Sequence, residues 1–96
     1  MSDVVVTNDP QQNRDEARVD GELAGTVEYQ RTDELVVLTH TEVDERFEGQ
    51  GVGSALARYG LDGVRAEGTH QVMPLCPFIT GWSARHREYV PLVYGA

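Results

Sequence analysis

The stretch that decides the fold is residues 35–54, LVVLTHTEVDERFEGQGVGS. Its first nine residues are rich in β-branched side chains, and the apolar run Leu35 to Leu38 is typical of a strand covered on both faces. Beyond the glycines of this stretch, Val52, Leu56 and other apolar residues recur at helical spacing as far as Gly68. The pattern predicts a central strand, a glycine loop and a helix of about four turns.

The glycine loop has the chemistry of an anion site. A strand that feeds such a loop into a helix presents backbone N–H groups and the positive end of the helix dipole to an anion. The P-loop motif is excluded because the chain contains no Lys, and Gly49, Gly51 and Gly53 have the wrong spacing for a dinucleotide fingerprint. Taken alone, these glycines also fit a simple tight turn between a strand and a helix.

The segments before this stretch predict further strands. Val4 to Val6 predict a short strand or a tail. Asp20-Gly21 lies between two alternating segments and predicts the tight turn of a β-hairpin, and a second turn is expected around Thr32-Asp33.

The segments after the glycine loop predict one more strand and one more helix. Residues 71–78 have the pattern of a strand, although Pro74 and Pro77 lack the N–H groups of a regular ladder. A last helix is expected over about residues 80–88. Gly60 and Gly63 weaken the first helix, which is tolerable if they let it lie close to the sheet.

Length, charge and cysteine content limit the possible functions. The chain has 96 residues, which predicts a single domain over residues 1–96. Its net charge of -8 disfavours nucleic acid and anionic membranes as partners, and the acidity serves either solubility or the attraction of a cationic substrate. Cys76 is the only cysteine, so no disulfide within the chain and no CxxC metal site can form. We expect a soluble, cytoplasmic protein, a monomer or weak dimer, with no metal.

Several motifs together carry a family resemblance. Arg46-Phe47-Glu48-Gly49-Gln50-Gly51 matches Q/R-x-x-G-x-G/A, the pyrophosphate loop of the GNAT superfamily of acyl-CoA N-acyltransferases. With His40-Thr41-Glu42-Val43, Pro74-Leu75-Cys76-Pro77-Phe78, His86 and Glu88-Tyr89, the chain resembles a minimal GNAT-like subfamily of roughly 100-residue proteins over about residues 14–93. The resemblance favours the anion site over the simple turn.

This resemblance implies an α+β fold with a mostly antiparallel sheet, a splayed central pair of strands and two main helices. The pantetheine arm of acetyl-CoA is expected to lie between the splayed strands, against the backbone around Glu42 and Val43. Arg46 would contact a phosphate or instead pair with a neighbouring acid. The expected cofactor-binding residues are Val43, Arg46, Phe47, Glu48, Gly49, Gln50, Gly51, Val52, Gly53 and Ser54.

Three residues are candidates for the acyl-transfer chemistry. His40 and Glu42 are two apart on a predicted strand and so share a face, where either could accept a proton. The alternative for both is a buried hydrogen-bonded pair that fixes the strand. Cys76 could line the site and protonate the departing thiolate, carry the acyl group, or be an inert buried thiol. Tyr89 or Tyr94 is a weaker candidate for the acid.

The function expected from these residues is N-acetyl transfer from acetyl-CoA to an amine. The acceptor is unassigned, and a protein or peptide amine in an open groove suits the short chain. The alternative is a CoA-binding or acetyl-CoA-binding module that does not catalyse the reaction.

Overall fold

The computed structural model describes residues 3–95. Two helices and five strands follow one another with two short 3₁₀ turns, at Glu45–Phe47 and Arg87–Leu92. In chain order the elements are β1 (Val4–Asp9), β2 (Arg14–Val19), β3 (Glu22–Arg31), β4 (Leu35–Val43), α1 (Val52–Glu67), β5 (Gln71–Pro74) and α2 (Pro77–Arg85). No helix in this part of the chain is long and apolar enough to cross a membrane.

The five strands form one sheet in the order β1-β2-β3-β4-β5. The first three pairings are antiparallel, and β4 pairs with β5 in parallel after the crossover through α1. Asp20 and Gly21 both have positive φ, at 51° and 82°, as the tight turn between β2 and β3 requires. The expected α+β fold, its mostly antiparallel sheet and its two main helices are confirmed.

Helix α1 covers one face of the sheet. Asp15, Ala17, Val27 and Tyr29 are buried on that face, while the residues that alternate with them in β3 are more exposed. Leu56 and Leu61 of α1 are 1% and 0% exposed and belong to the same apolar core. The two faces of the sheet therefore differ: one is packed under the helix and the other is largely open.

A β-bulge in β4 decides which residues reach which face. Leu38 pairs with Tyr29 but His40 pairs with Glu28, so Thr39 is an extra residue in the ladder. Paired residues share a face, so Leu38 lies on the helix face while His40 lies on the open face. Strict alternation from Leu38 would have placed His40 under the helix.

The segment after β5 departs from the sequence prediction. The predicted strand over residues 71–78 is wrong in its second half, because β5 ends at Pro74 and α2 begins at Pro77. Proline is favourable at the first position of a helix, where no N–H group is needed. The last helix was likewise expected too late, and residues 87–92 form a 3₁₀ turn instead.

Gly25 marks the closest approach between β3, β4 and α1. A Cβ atom there would lie 2.8 Å from the carbonyl oxygen of Glu42 and 3.0 Å from a methyl group of Val52. Gly60 and Gly63 do not serve the close packing that the sequence suggested. A Cβ atom at Gly63 would meet nothing within 4 Å, and one at Gly60 would only approach Asp15 Oδ2 at 3.4 Å.

We predict opposite effects for the same substitution at two of these glycines. Gly25→Ala forces the backbone of β3 and β4 apart and should lower the free energy of unfolding by about 1–3 kcal/mol. Gly63→Ala adds a methyl group in open space and removes a helix-interior glycine, so it should raise that free energy by about 0.5–1 kcal/mol. Urea unfolding of both variants measures the difference, and equal effects would contradict the packing described.

Asp15 is a buried acid on the helix face. The residue is 5% exposed, and its Oδ1 accepts a hydrogen bond of 3.0 Å from the side-chain amide of Asn8. Burial raises the pKa of Asp15, and the Asn8 hydrogen bond offsets only part of that effect. The ionised carboxyl group therefore costs stability in the folded protein.

The pH dependence of this cost has a definite sign. The folded state holds the Asp15 proton more tightly, so this group lowers stability as the pH rises from the ordinary aspartate pKa through the raised one. Asp15→Asn should therefore be more stable than the parent protein near pH 7. The difference should vanish at pH values below the ordinary aspartate pKa. Urea unfolding across this range tests it, and a parent protein that is more stable at neutral pH would be inconsistent with the burial cost.

Candidate active site

A wedge opens in the sheet where β4 and β5 separate. Their pairing ends at Leu38 and Pro74, but β4 continues to Val43. The Leu38 carbonyl group accepts the backbone N–H groups of Leu75 at 2.9 Å and Cys76 at 3.3 Å, which closes the apex of the wedge. The second half of β4 thus has β3 on one side and an edge without a paired strand on the other.

Cys76 lies beside the wedge at the start of α2. The residue is 6% exposed, and its Sγ lies 3.2 Å from Oγ1 of Thr41. Thr41 pairs with Val27 and therefore lies on the helix face of β4. The thiol and the hydroxyl group join the two walls of the wedge by a hydrogen bond, which sequence reasoning missed because Thr41 carries no motif of its own.

His40 and Glu42 lie on the opposite face of β4. His40 pairs with Glu28 and Glu42 pairs with Thr26, and the two candidate side chains are 58% and 76% exposed. Nε2 of His40 is 3.8 Å from Oε2 of Glu42. The alternative of a buried pair is wrong, because the bulge at Thr39 turns both side chains to solvent. His40 and Glu42 thus lie on the open face of β4, while Cys76, at the start of α2, lies beside its helix face.

The amide groups of the glycine loop divide into two sets. The N–H groups of Phe47, Glu48 and Gln50 donate to carbonyl groups within the loop. Gly51 has φ of 80° and precedes α1, whose first intrahelical bond runs from the Ala55 N–H to the Gly51 carbonyl group at 2.9 Å. By helix geometry, the N–H groups of residues 52–54 have no acceptor within the helix. They are the donors that the start of α1 offers to an anion.

The loop before α1 is held by one apolar and one ionic contact. Phe47 is 9% exposed and belongs to the core. Nε and Nη2 of Arg46 are each 3.3 Å from Asp44. The hydrogen bond from the Arg46 backbone N–H is the main cause that lowers the pKa of Asp44, and the hydrogen bond from the guanidinium is the second. Arg46 thus has the acidic partner that the sequence left open, although its side chain remains 64% exposed.

Trp82 connects α2 to the start of α1. Its indole N–H donates to Oγ of Ser54 at 3.1 Å, and the residue is 1% exposed. The His86 ring stacks on Trp82 with centroids 3.7 Å apart, and its Nδ1 donates to the Trp82 carbonyl oxygen at 2.8 Å. The sequence did not reveal this support for Ser54, because the two residues are far apart along the chain.

Tyr89 is placed away from the wedge. Its hydroxyl group donates to Asp62 at 2.6 Å and accepts from Arg58 at 3.3 Å, so it lies against the middle of α1. The hydrogen bond to Asp62, with burial, raises the pKa of Tyr89. The geometry gives Tyr89 a structural role and does not bring it to the thiol or to His40.

The β–loop–α–β unit, with its splayed parallel pair and the amide groups at the start of α1, is the arrangement that the sequence resemblance implies. The family model described as GCN5-related N-acetyl-transferase matches residues 14–92. The chain therefore belongs to the GCN5-related N-acetyltransferase family.

A solved structure agrees with this fold. The crystal structure of Ard1 from Thermoplasma volcanium is similar with a TM-score of 0.55 and 25% sequence identity. The similarity covers 65% of this chain and 44% of that Ard1, so this chain spans less than half of its length. No curated protein shows significant sequence similarity to the chain.

A double-mutant cycle tests whether Trp82 positions Ser54. Ser54→Ala leaves the buried indole N–H without its acceptor and should cost about 1 kcal/mol of stability. In the Trp82→Phe background the same change should cost nearly nothing, so the two substitutions should couple by about 1 kcal/mol. The free energies of unfolding of the four proteins give the coupling. Additive costs would show that the hydrogen bond does not contribute.

Proposed function

We propose that this protein transfers an acetyl group from acetyl-CoA to the amino group of an acceptor. The observation that carries the proposal is the wedge: β4 continues to Val43 after its pairing with β5 ends at Leu38. Family membership supports acetyl transfer in general.

The donor site combines the unpaired edge of β4 with the start of α1. The pantetheine arm carries amide groups, which would bond to the backbone of Thr39 to Val43 as a neighbouring strand does. The pyrophosphate would accept hydrogen bonds from the N–H groups of residues 52–54 and would lie at the positive end of the helix dipole. Gly49 and Gly51, with φ of 81° and 80°, shape the approach to this helix start.

The remaining loop residues have supporting roles in this proposal. Phe47 anchors the loop in the core, and the N–H groups of Glu48 and Gln50 hold its conformation. The Arg46 guanidinium already donates to Asp44, so only its remaining N–H groups would contact a phosphate. Gly53 would leave room beside Phe78, whose ring lies 2.7 Å from the position of a Cβ atom there.

The chemistry requires an acceptor amine in its neutral form. The amine nitrogen attacks the thioester carbonyl carbon, and His40 or Glu42 accepts the proton that the nitrogen loses, directly or through water. The C–S bond then breaks, the acetyl group stays on the nitrogen, and the CoA thiolate leaves. The Cys76 thiol is suited to protonate that thiolate, with the hydroxyl group of Thr41 3.2 Å from its sulfur.

The exposed face of β4 indicates an accessible acceptor site. His40 and Glu42 stand on the open face of the sheet and are more than half exposed. A protein or peptide amine can reach such a surface, and the net charge of -8 favours a cationic acceptor.

Binding is the first experiment. Calorimetric titration with acetyl-CoA, CoA and ATP should show binding of both CoA species and none of ATP. Thermal unfolding at a ligand concentration of one hundred times Kd should show stabilisation by about 2.7 kcal/mol. Acetyl transfer is then measured as thiol release with lysine peptides, free N-terminal peptides and acidic peptides. Tight binding without transfer to any amine would favour the non-catalytic module.

Two glycine variants test the location of the donor site. Gly51→Ala and Gly21→Ala place a methyl group at nearly the same positive φ, 80° and 82°, with nothing within 4 Å of either Cβ. Both should lose a similar amount of stability, about 1 kcal/mol. Only Gly51→Ala should weaken acetyl-CoA binding, by about tenfold, because it alone shifts the start of α1. Unchanged affinity in Gly51→Ala would place the pyrophosphate elsewhere.

Three variants test the chemistry. His40→Ala or Glu42→Gln should lower kcat by about a hundredfold if that residue is the base, and acetyl-CoA binding should stay unchanged. Cys76→Ser keeps a proton donor at the wedge and should retain measurable turnover. Complete loss of turnover in Cys76→Ser, with an acetylated thiol in the parent protein detected by mass spectrometry, would replace direct transfer with an acyl-enzyme route.

A further inference from the structure

A cavity lies between α1 and the sheet, away from the wedge. Its volume is about 470 Å³, and it lies beside Tyr59 to Glu67, the second half of α1, whereas the anion-binding donors are at the first turn. The strand residues that line it, Asn8, Asp15, Tyr29 and Leu38 among them, are on the helix face of the sheet. His40 and Glu42 are on the other face, so the cavity is separate from the proposed acceptor surface.

Two glycines of α1 border this cavity, Gly60 beside Asp15 and Gly63 at the exposed rim. Gly60 and Gly63 are three residues apart and both line it. A Cβ atom at Gly63 would meet nothing within 4 Å, and the first atom a Cβ at Gly60 would approach is Oδ2 of Asp15. Neither glycine serves close packing, and neither has positive φ. The effect of these two glycines is therefore the space that their missing side chains leave.

Asp15 gives the cavity its chemical character. The residue is 5% exposed and its Oδ1 accepts from Asn8, whose side-chain amide also lies 2.7 Å from the Tyr29 hydroxyl group. Oδ2 points toward Gly60 and the open space. Within residues 3–95, no Arg or His side chain forms an ion pair with Asp15. A buried carboxylate without a cation is costly, and a bound ammonium group would offset that cost.

The rest of the lining favours a cation with an apolar body. Arg31 lines the cavity, and its guanidinium forms an ion pair with the Glu67 carboxylate at 2.6 Å. Asp62 is paired with Arg65 at 2.7 Å, so Asp15 is the carboxylate of the lining without an ion-pair partner within residues 3–95, and this disfavours an anion. Val36, Leu38, Val64 and the tyrosine rings supply the apolar surface. A volume of about 470 Å³ is within the range of small-molecule sites.

We propose that this cavity is a binding site for a small primary amine with an apolar body, whose ammonium group pairs with Oδ2 of Asp15. The apolar body lies against Leu38 and Val64 in the space left by Gly60 and Gly63. This site is distinct from the acetyl-transfer site. It shares only Leu38 with the wedge, where the Leu38 carbonyl group closes the apex while Leu38 also lines the cavity.

Phenethylamine is a suitable probe, with 2-phenylethanol and 3-phenylpropionate as neutral and anionic controls. Amide chemical shifts of isotope-labelled protein, without acetyl-CoA, give both affinity and location. Phenethylamine should shift the signals of Asn8, Gly60 and Gly63 and bind at least about tenfold more tightly than the alcohol, while the anion should not bind. Equal affinity for the amine and the alcohol, or shifts confined to the open face, would overturn the proposal.

Two variants separate the ion pair from the shape of the cavity. Asp15→Asn keeps the size of the side chain and should weaken phenethylamine binding by about tenfold or more. Gly60→Leu extends a side chain from a Cβ position 3.4 Å from Oδ2 of Asp15, and it should block the cavity and abolish binding, while removal of a helix glycine supports folding. Acetyl-CoA affinity should be unchanged in both variants. Phenethylamine binding that persists in both would overturn the assignment, whatever the outcome for acetyl transfer.

Discussion

The end of the β4–β5 pairing at Leu38 and Pro74 is the constraint on which the site depends. Two consecutive amide groups, of Leu75 and Cys76, turn back to the single carbonyl group of Leu38, and Pro77 then begins a helix. Proline has no N–H group, so this segment gives up few hydrogen bonds when it leaves the ladder. Beyond Leu38, strand β4 is paired with β3 alone, and its other edge is left for a ligand that can bond as a strand does.

The bulge at Thr39 distributes the chemistry between the two faces of β4. One extra residue in the ladder sends His40 and Glu42 to the open face, while Thr41 meets Cys76 on the helix face. A base on one face and a thiol on the other would flank a thioester that lies between the separated strands. The same arrangement keeps the cavity around Asp15 apart from the exposed face of β4.

The sequence predicts most of the elements, because their signals are local. Alternation and the Asp20-Gly21 turn locate the hairpin, and the glycine motif locates the start of α1. The failures concern long-range effects. Pro77 was read as part of a strand although it begins a helix, and a one-residue bulge leaves no local signal. The Trp82–Ser54 hydrogen bond and the open space at Gly63 arise only when distant segments pack together.

The central claim is that CoA occupies the wedge between β4 and α2. Amide chemical-shift mapping of isotope-labelled protein during titration with CoA tests it most directly. The largest shifts are expected at Thr41 to Val43 and at Val52 to Ser54, with smaller changes at Cys76. Shifts restricted to the cavity around Asp15, or no shifts at saturating CoA, would contradict it.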